Sequence, residues 1–308
     1  MGRRKMGDAV SGWVIVDKPV GPTSTQVVST VRRLYNAQKA GHAGTLDPLA
    51  SGILPVALGE ATKTVPYIID ATKGYRFTVC FGASTTTDDL EGEVVETSDH
   101  HPTMAEIEAV LPKFTGEILQ TPPAFSAIKV DGKRAYDMAR AGEEVKLKAR
   151  PVIIHNIDLL EMPDETHAVL EISCSKGTYV RSLARDLALE LGTFGHVTAL
   201  RRISHGPFSE SQAIPLDKLT GLGHIPPASD TLWTHLLPLE TALDDIPAYA
   251  LNSDDASRLR RGQGVLLRGR DAPIFSGVVL ATHRGDPVAL TEYGQGELKP
   301  VRVFNLGS

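Results

Sequence analysis

The stretch Gly41-His42-Ala43-Gly44-Thr45-Leu46-Asp47-Pro48-Leu49-Ala50-Ser51-Gly52 sets one carboxylate and one imidazole on a loop containing three glycines. Glycine allows backbone to approach a ligand closely and to adopt conformations closed to other residues. Pro48 biases Asp47 away from the helical region and toward extended backbone. Taken singly, these residues fit ordinary roles: Asp47-Pro48 opens a turn, and His42 is a surface or hydrogen-bonded histidine. Together, on a Gly-rich loop inside an otherwise well-patterned domain, they point to a functional site.

Outward from this loop the chain alternates between the two common periodicities. Gly12–Asp17 is a β-branched run closed by Lys18-Pro19, which predicts a strand ending in a turn. Val27, Val28, Val31 and Leu34 follow helical spacing, with Thr23 or Ser24 placed to cap. Tyr75, Phe77, Val79 and Phe81 alternate with Arg76, Thr78 and Cys80, as in a half-buried strand; Ala168, Leu170, Ile172 and Cys174 do the same. Val180, Leu183, Ala184, Leu187, Ala188 and Leu191 trace an amphipathic helix, with Thr178 as N-cap and Gly192 at its left-handed end. Arg181 falls in its first turn, flanking the apolar face. His196–Ile203 reads as a further strand.

Gly221, Gly223, Pro226 and Pro227 mark the approach to a boundary. Beyond about Leu239, the short β-type runs Val265–Leu267, Ile274–Leu280, Pro287–Thr291 and Val301–Phe304 predict a small barrel-like module. The expected organisation is a frayed tail over 1–10, a catalytic domain over 11–238 and a C-terminal module over 239–308. Strands and helices mix without strict βαβ alternation, so the expected class is α+β with a mixed, largely antiparallel central sheet flanked by helices.

Composition bounds the function. Hydrophobic content of 42% and charged content of 22% over 308 residues are ordinary for a folded soluble protein. Apolar stretches such as Ile53–Leu58 are too short to cross a bilayer, and the basic start has no apolar segment behind it. Cys80 and Cys174 lack CxxC or Cys/His spacing, which suits a reduced cytoplasmic protein and argues against a zinc site or a disulfide scaffold. There is no GxGxxG after a strand, no Walker A loop and no HExxH, so neither cofactor nor metal is expected. Net charge is −5, but it is segregated. Eight acids and no Lys or Arg lie between Ser84 and Val110, whereas seven bases against four acids lie between Lys129 and Arg150. Charge alone reads both runs as solvated faces; the basic one is also able to attract phosphates.

Gly41–Lys63 as a whole resembles the signature of pseudouridine synthases, and most closely the bacterial TruB family, which makes pseudouridine at position 55 in the T arm of tRNA. Four further stretches resemble the same family in the same order: Val16-Asp17-Lys18-Pro19, Lys73-Gly74-Tyr75-Arg76, Ser175-Lys176-Gly177-Thr178-Tyr179-Val180-Arg181 and Leu200-Arg201-Arg202. The resemblance runs from about Gly12 to Leu219. It departs at Thr45, where many relatives carry alanine.

The resemblance implies a pseudouridine synthase fold with a small C-terminal β-barrel of the PUA type, and it implies roles. Asp47 is the nucleophile that attacks the target nucleotide, at ribose carbon 1′ or base carbon 6, and Arg181 is its ion-pair partner. Tyr75 stacks on the flipped uracil, and its hydroxyl serves as general base. Tyr179 and Leu200 contact the substrate in the pocket. His42 fills the stack that the uridine vacates, and Lys18, with Pro19, supports the pocket beside the substrate. Lys133 and Arg134 are candidates for phosphate contacts. The implied partner is tRNA, bound by a cytoplasmic monomer without cofactor, metal or obligate protein partner. A tRNA-folding chaperone and a synthase acting on another RNA are the alternative readings.

Overall fold

The computed structural model describes residues 7–126, 129–130, 133–141, 147–222, 230–268 and 273–306. Among the described residues, ten strands form one mixed sheet. Its main path runs Ile214–Pro215, Gly12–Lys18, Ala50–Leu58, Gly195–His205, Lys73–Phe81, His167–Cys174, Arg150–Glu161, Gly116–Gln120. Only the first pair and the pairing of Ala50–Leu58 with Gly195–His205 are parallel. The short strand Ala40–His42 lies antiparallel on Ala50–Leu58, so residues 43–49 form the connection between two paired strands. Leu200 pairs with Ala50 across the parallel contact, which brings the Gly195–His205 strand beside that connection.

Strand Ala50–Leu58 is buried along most of its length because both faces are covered. Leu54, Val56 and Leu58 join one core with Val27 and Val31 of the Ser24–Leu34 helix and with the Val180–Glu190 helix. Ile53 and Ala57 join a second core with Trp13, Leu239, Leu243, Leu280, Leu290 and Phe304. The C-terminal strands are therefore packed on the back of the main sheet. Ordered Ala248–Ala250, Gly277–His283, Asp286–Gly294, Glu297–Val303, Val265–Leu266, they curl as a half-barrel. Leu259, Val279, Val288 and Leu298 form a small core of their own.

Several local expectations change. Residues 7–10 are not frayed: the Asp8 N–H donates to the Asn36 carbonyl at 2.6 Å, Gln38 donates back to Asp8, and Val10 is buried. Thr178 does not cap the Val180–Glu190 helix, because its hydroxyl donates to the Ser175 carbonyl; Tyr179 takes the N-cap position, and Gly192 is left-handed as expected. Ile274 precedes its strand and is 88% exposed rather than buried within it. Strand Arg150–Glu161 is absent from the sequence-based expectations, since two register shifts break its alternation. Of the boundary loop, residues 223–229 lie outside the described residues. No helix among the described residues is long and apolar enough to cross a membrane.

Candidate active site

The Asp47 loop is fixed from below by hydrogen bonds to its backbone. Thr23 caps the Ser24–Leu34 helix with a capping box to Gln26, which leaves Ser24 free for another task. The Ser24 hydroxyl donates to the Leu46 carbonyl and accepts from the Leu46 N–H, both at 2.9 Å, clamping the residue before Asp47. Lys18 has no exposed surface; its ammonium donates to the carbonyls of Pro19 at 2.8 Å, Pro48 at 3.3 Å and Ala50 at 2.7 Å. Burial lowers the Lys18 ammonium to about 8, with nearby Asp47 opposing the shift. Lys18 thus holds the loop rather than facing a substrate. Gly52 has φ +99°, and a β-carbon there would collide with the Arg202 backbone, so the close parallel pairing at this point requires glycine.

The loop carries Asp47 to the N-terminal end of the Val180–Glu190 helix. Arg181 donates from Nη2 to Asp47 Oδ2 at 2.8 Å and to the Phe125 carbonyl at 3.1 Å. Its Nη1 donates to the Thr87 carbonyl at 2.9 Å and lies 3.2 Å from Asp89 Oδ2. The Asp47 side chain is 47% exposed, against 8% for Arg181 and 7% for Asp89. One end of this network is therefore open and the other is desolvated. Asp89 is held in turn by the Thr87 hydroxyl and by the Glu91 N–H at 3.0 Å. Arg185, one turn after Arg181, pairs with Asp88 at 2.8 Å.

Asp88 and Asp89 belong to the acidic run, whose reading as a solvated face fails for these buried residues. The sequence did carry a signal for them. Arginines at i and i+4 share a helix face, and consecutive acids offer one carboxylate to each.

A shallow, open cleft lies over Asp47, with Leu49, Arg181, Thr198 and Leu200 in its lining. Tyr75 is almost buried on the central strand, directly opposite Arg202 on the neighbouring strand. Burial pushes its phenol above the usual tyrosine range, and the Arg202 guanidinium pulls it back. His42 is half-buried on the other side of the loop, and its Nδ1 has no partner among the described residues. Burial and the charge of Arg202 lower its pKa, which favours a neutral imidazole. Tyr179 is half-buried, with its backbone clamped by the Gln120 amide in both directions at 2.8 and 3.1 Å. The Arg150 guanidinium lies 6.0 Å from the Tyr179 ring centre. Strands Lys129–Val130 and Lys133–Arg134 pair as a hairpin, but the side chains of Lys133 and Arg134 lie outside the described part of the structure.

Comparison with known proteins bears on the fold and the family. A solved structure of an H/ACA RNP bound to a substrate RNA containing 2′-deoxyuridine matches with a TM-score of 0.75 at 24% identity, covering 99% of this chain and 91% of that one, which shows the fold. A Cbf5-Nop10-Gar1 complex matches with a TM-score of 0.73 at 27% identity, covering 95% of this chain and 84% of that one.

Two family models match in sequence: TruB family pseudouridylate synthase (N terminal domain) over residues 32–180, and tRNA pseudouridylate synthase B C-terminal domain over residues 181–244. They define the class as pseudouridylate synthases. Within that class, the chain belongs to the TruB family. Proteins named tRNA pseudouridine synthase B are similar over nearly their whole length. That of Bradyrhizobium diazoefficiens is 58% identical, covering 96% of this chain and 86% of its own. That of Agrobacterium fabrum is 52% identical, covering 98% and 97%.

Proposed function

We propose that this protein converts uridine at position 55 in the T arm of tRNA to pseudouridine, with Asp47 as nucleophile. The observation that carries the reading is the half-exposed Asp47 carboxylate at the mouth of a cleft, held by a buried arginine at 2.8 Å. Its support is the similarity, over nearly the whole chain, to proteins named tRNA pseudouridine synthase B.

The reaction is an isomerisation. The bond between ribose C1′ and base N1 breaks, the uracil turns, C5 joins C1′, and the C5 proton leaves while N1 gains one. Nothing is oxidised and no atom is gained, so a charged carboxylate and a proton acceptor suffice. Asp47 supplies the first, by attack at C1′ or at C6. Tyr75 is assigned as stacking partner and proton acceptor, and Tyr179 and Leu200 are assigned to bound the base. His42, as a neutral ring, fills the gap left in the T loop, where extrusion costs least.

The half-barrel of residues 239–308 is read as a PUA-like RNA-binding module, and residues 11–238 as the catalytic domain. Lys133 and Arg134 are assigned to tRNA phosphates. The protein is taken to act in the cytoplasm as a monomer without an obligate protein partner, a reading that light scattering with and without tRNA tests. The function is tested by mapping pseudouridine across total RNA in a strain lacking the gene, complemented with wild type or Asp47→Asn. Loss of the T-arm modification, restored by wild type alone, is expected; modification restored by Asp47→Asn overturns the assignment.

A further inference from the structure

Arg202 is a fully buried guanidinium with no carboxylate partner among the described residues. Its Nε donates to the Ile53 carbonyl at 2.7 Å and its Nη2 to the Gly44 carbonyl at 3.1 Å, tying it to the start of the catalytic loop and to the strand that follows the loop. The ionisable groups around it are otherwise basic. Lys18 and Lys73, both buried, the half-buried His42 ring and the buried His205 ring each feel its positive charge. A buried cation of this kind is costly unless an anion or strong acceptors meet it.

The acid it meets is Tyr75. The two residues are direct cross-strand partners, so their side chains share one face of the sheet, and the charge of one acts on the other. Tyr75 is faced from its other sides by Cys174 on the adjoining strand and by Asp47 from the loop. Asp47 is itself occupied by Arg181, so it does not serve Arg202 as a counter-ion.

We propose that Arg202 is a positioning residue for Tyr75: it fixes the phenol oxygen as an acceptor facing the substrate and stabilises its phenolate, so that Tyr75 accepts the C5 proton. This rests on the nucleophile and base roles given above. In the step, the C5–H bond breaks, its electron pair returns to the uracil ring, and the proton passes to the phenolate oxygen. The phenol then returns the proton to solvent, which supplies the one gained at N1. Burial raises the Tyr75 phenol, and the charge of Arg202 acts against that rise.

The test is a single-turnover rate on T-arm RNA across pH for wild type, Arg202→Gln and Arg202→Lys, with tRNA binding measured alongside. Tyrosinate absorbance is titrated in the same proteins, each referenced to its Tyr75→Phe counterpart to isolate Tyr75. Arg202→Gln is expected to lower the neutral-pH rate by about 100-fold, the scale of one general base. RNA affinity is expected to hold, and part of the rate to return at higher pH. The Tyr75 titration moves to higher pH in Arg202→Gln and by less in Arg202→Lys. If Arg202→Gln does not fold, Arg202→Lys alone carries the test: a Tyr75 titration and pH profile identical to wild type overturn the proposal. An Arg202→Gln enzyme slowed equally at every pH, with the Tyr75 titration unmoved, also overturns it. Failure of the underlying reading is scored separately, by turnover in Asp47→Asn or in Tyr75→Phe.

Discussion

Arg181 joins two carboxylates of unequal burial: half-exposed Asp47 at 2.8 Å and buried Asp89 at 3.2 Å. The two contacts therefore do different work. The Asp89 pair is desolvated and fixes the guanidinium, together with the Thr87 and Phe125 carbonyls. The Asp47 pair then orients a carboxylate whose other side stays open to the cleft. Asp89→Asn leaves the Asp47 contact in place but loosens its support. We expect it to slow single turnover by about 10- to 100-fold, or about 1.4–2.8 kcal/mol of barrier, with tRNA affinity kept. Asp47→Asn should abolish turnover and still bind tRNA. A wild-type rate in Asp89→Asn would show that Arg181 needs no second anchor.

Lys18→Met removes the donor to three carbonyls around the loop. Leaving buried carbonyls unsatisfied costs about 1–3 kcal/mol each where water cannot reach them. Urea unfolding should show a loss of about 3 kcal/mol, and turnover should fall more than affinity because Asp47 rides on that loop. The pH sign is also fixed. Lys18 is lowered to about 8 from 10.5, so between those values the unfolded chain holds the proton and the folded one does not. Stability from this residue therefore rises with pH across that window, and Lys18→Met should remove its share of the rise.

How far the sequence carried this picture depends on whether the determining contact was local. The Thr23 cap, the alternation of Tyr75–Phe81 and the left-handed Gly192 are set by neighbours a few residues away, and each was legible. Arg150–Glu161 was not, because its bulges break the period on which strand reading rests. The pairing of Asp47 with Arg181 was legible only through family resemblance, since their contact spans 134 positions. Arg202 shows the limit most clearly. Nothing beside it in the chain distinguishes a buried ion from a surface one, and only the pairing of distant strands decides it.

His205 gives a stability test in acid. It is fully buried, its Nε2 accompanies the Ile68 carbonyl at 3.1 Å, and Arg202 and Lys73 lie close by. Burial first, then those two charges, push the imidazole down to about 2 from 6.5. As pH falls below 6.5 the unfolded chain takes up a proton that the folded chain refuses. Stability then drops at up to about 1.4 kcal/mol per pH unit from this residue. The difference in urea midpoint between pH 7 and pH 5, compared for wild type and His205→Gln, isolates this contribution because other groups titrate alike in both. A variant as acid-sensitive as wild type would refute it.

Charge reversal tests the placement of tRNA. A chain with net charge −5 repels a polyanion at long range, so binding must come from a local basic surface. The hairpin pairing of Lys129 with Arg134 and Val130 with Lys133 sets basic residues on both of its strands, and Arg150 from the same run lies over the ring of Tyr179, two residues before Arg181. If Lys133 and Arg134 meet phosphates, the double variant Lys133→Glu/Arg134→Glu should weaken tRNA binding. It should also flatten the dependence of log affinity on log salt by about 1 for each phosphate that goes unneutralised. Because neither residue touches the reacting uridine in this assignment, the rate at saturating tRNA should stay near wild type. An unchanged salt slope with weaker binding would move the tRNA backbone elsewhere on the surface. A lower saturating rate with an unchanged slope would instead place these residues at the chemistry.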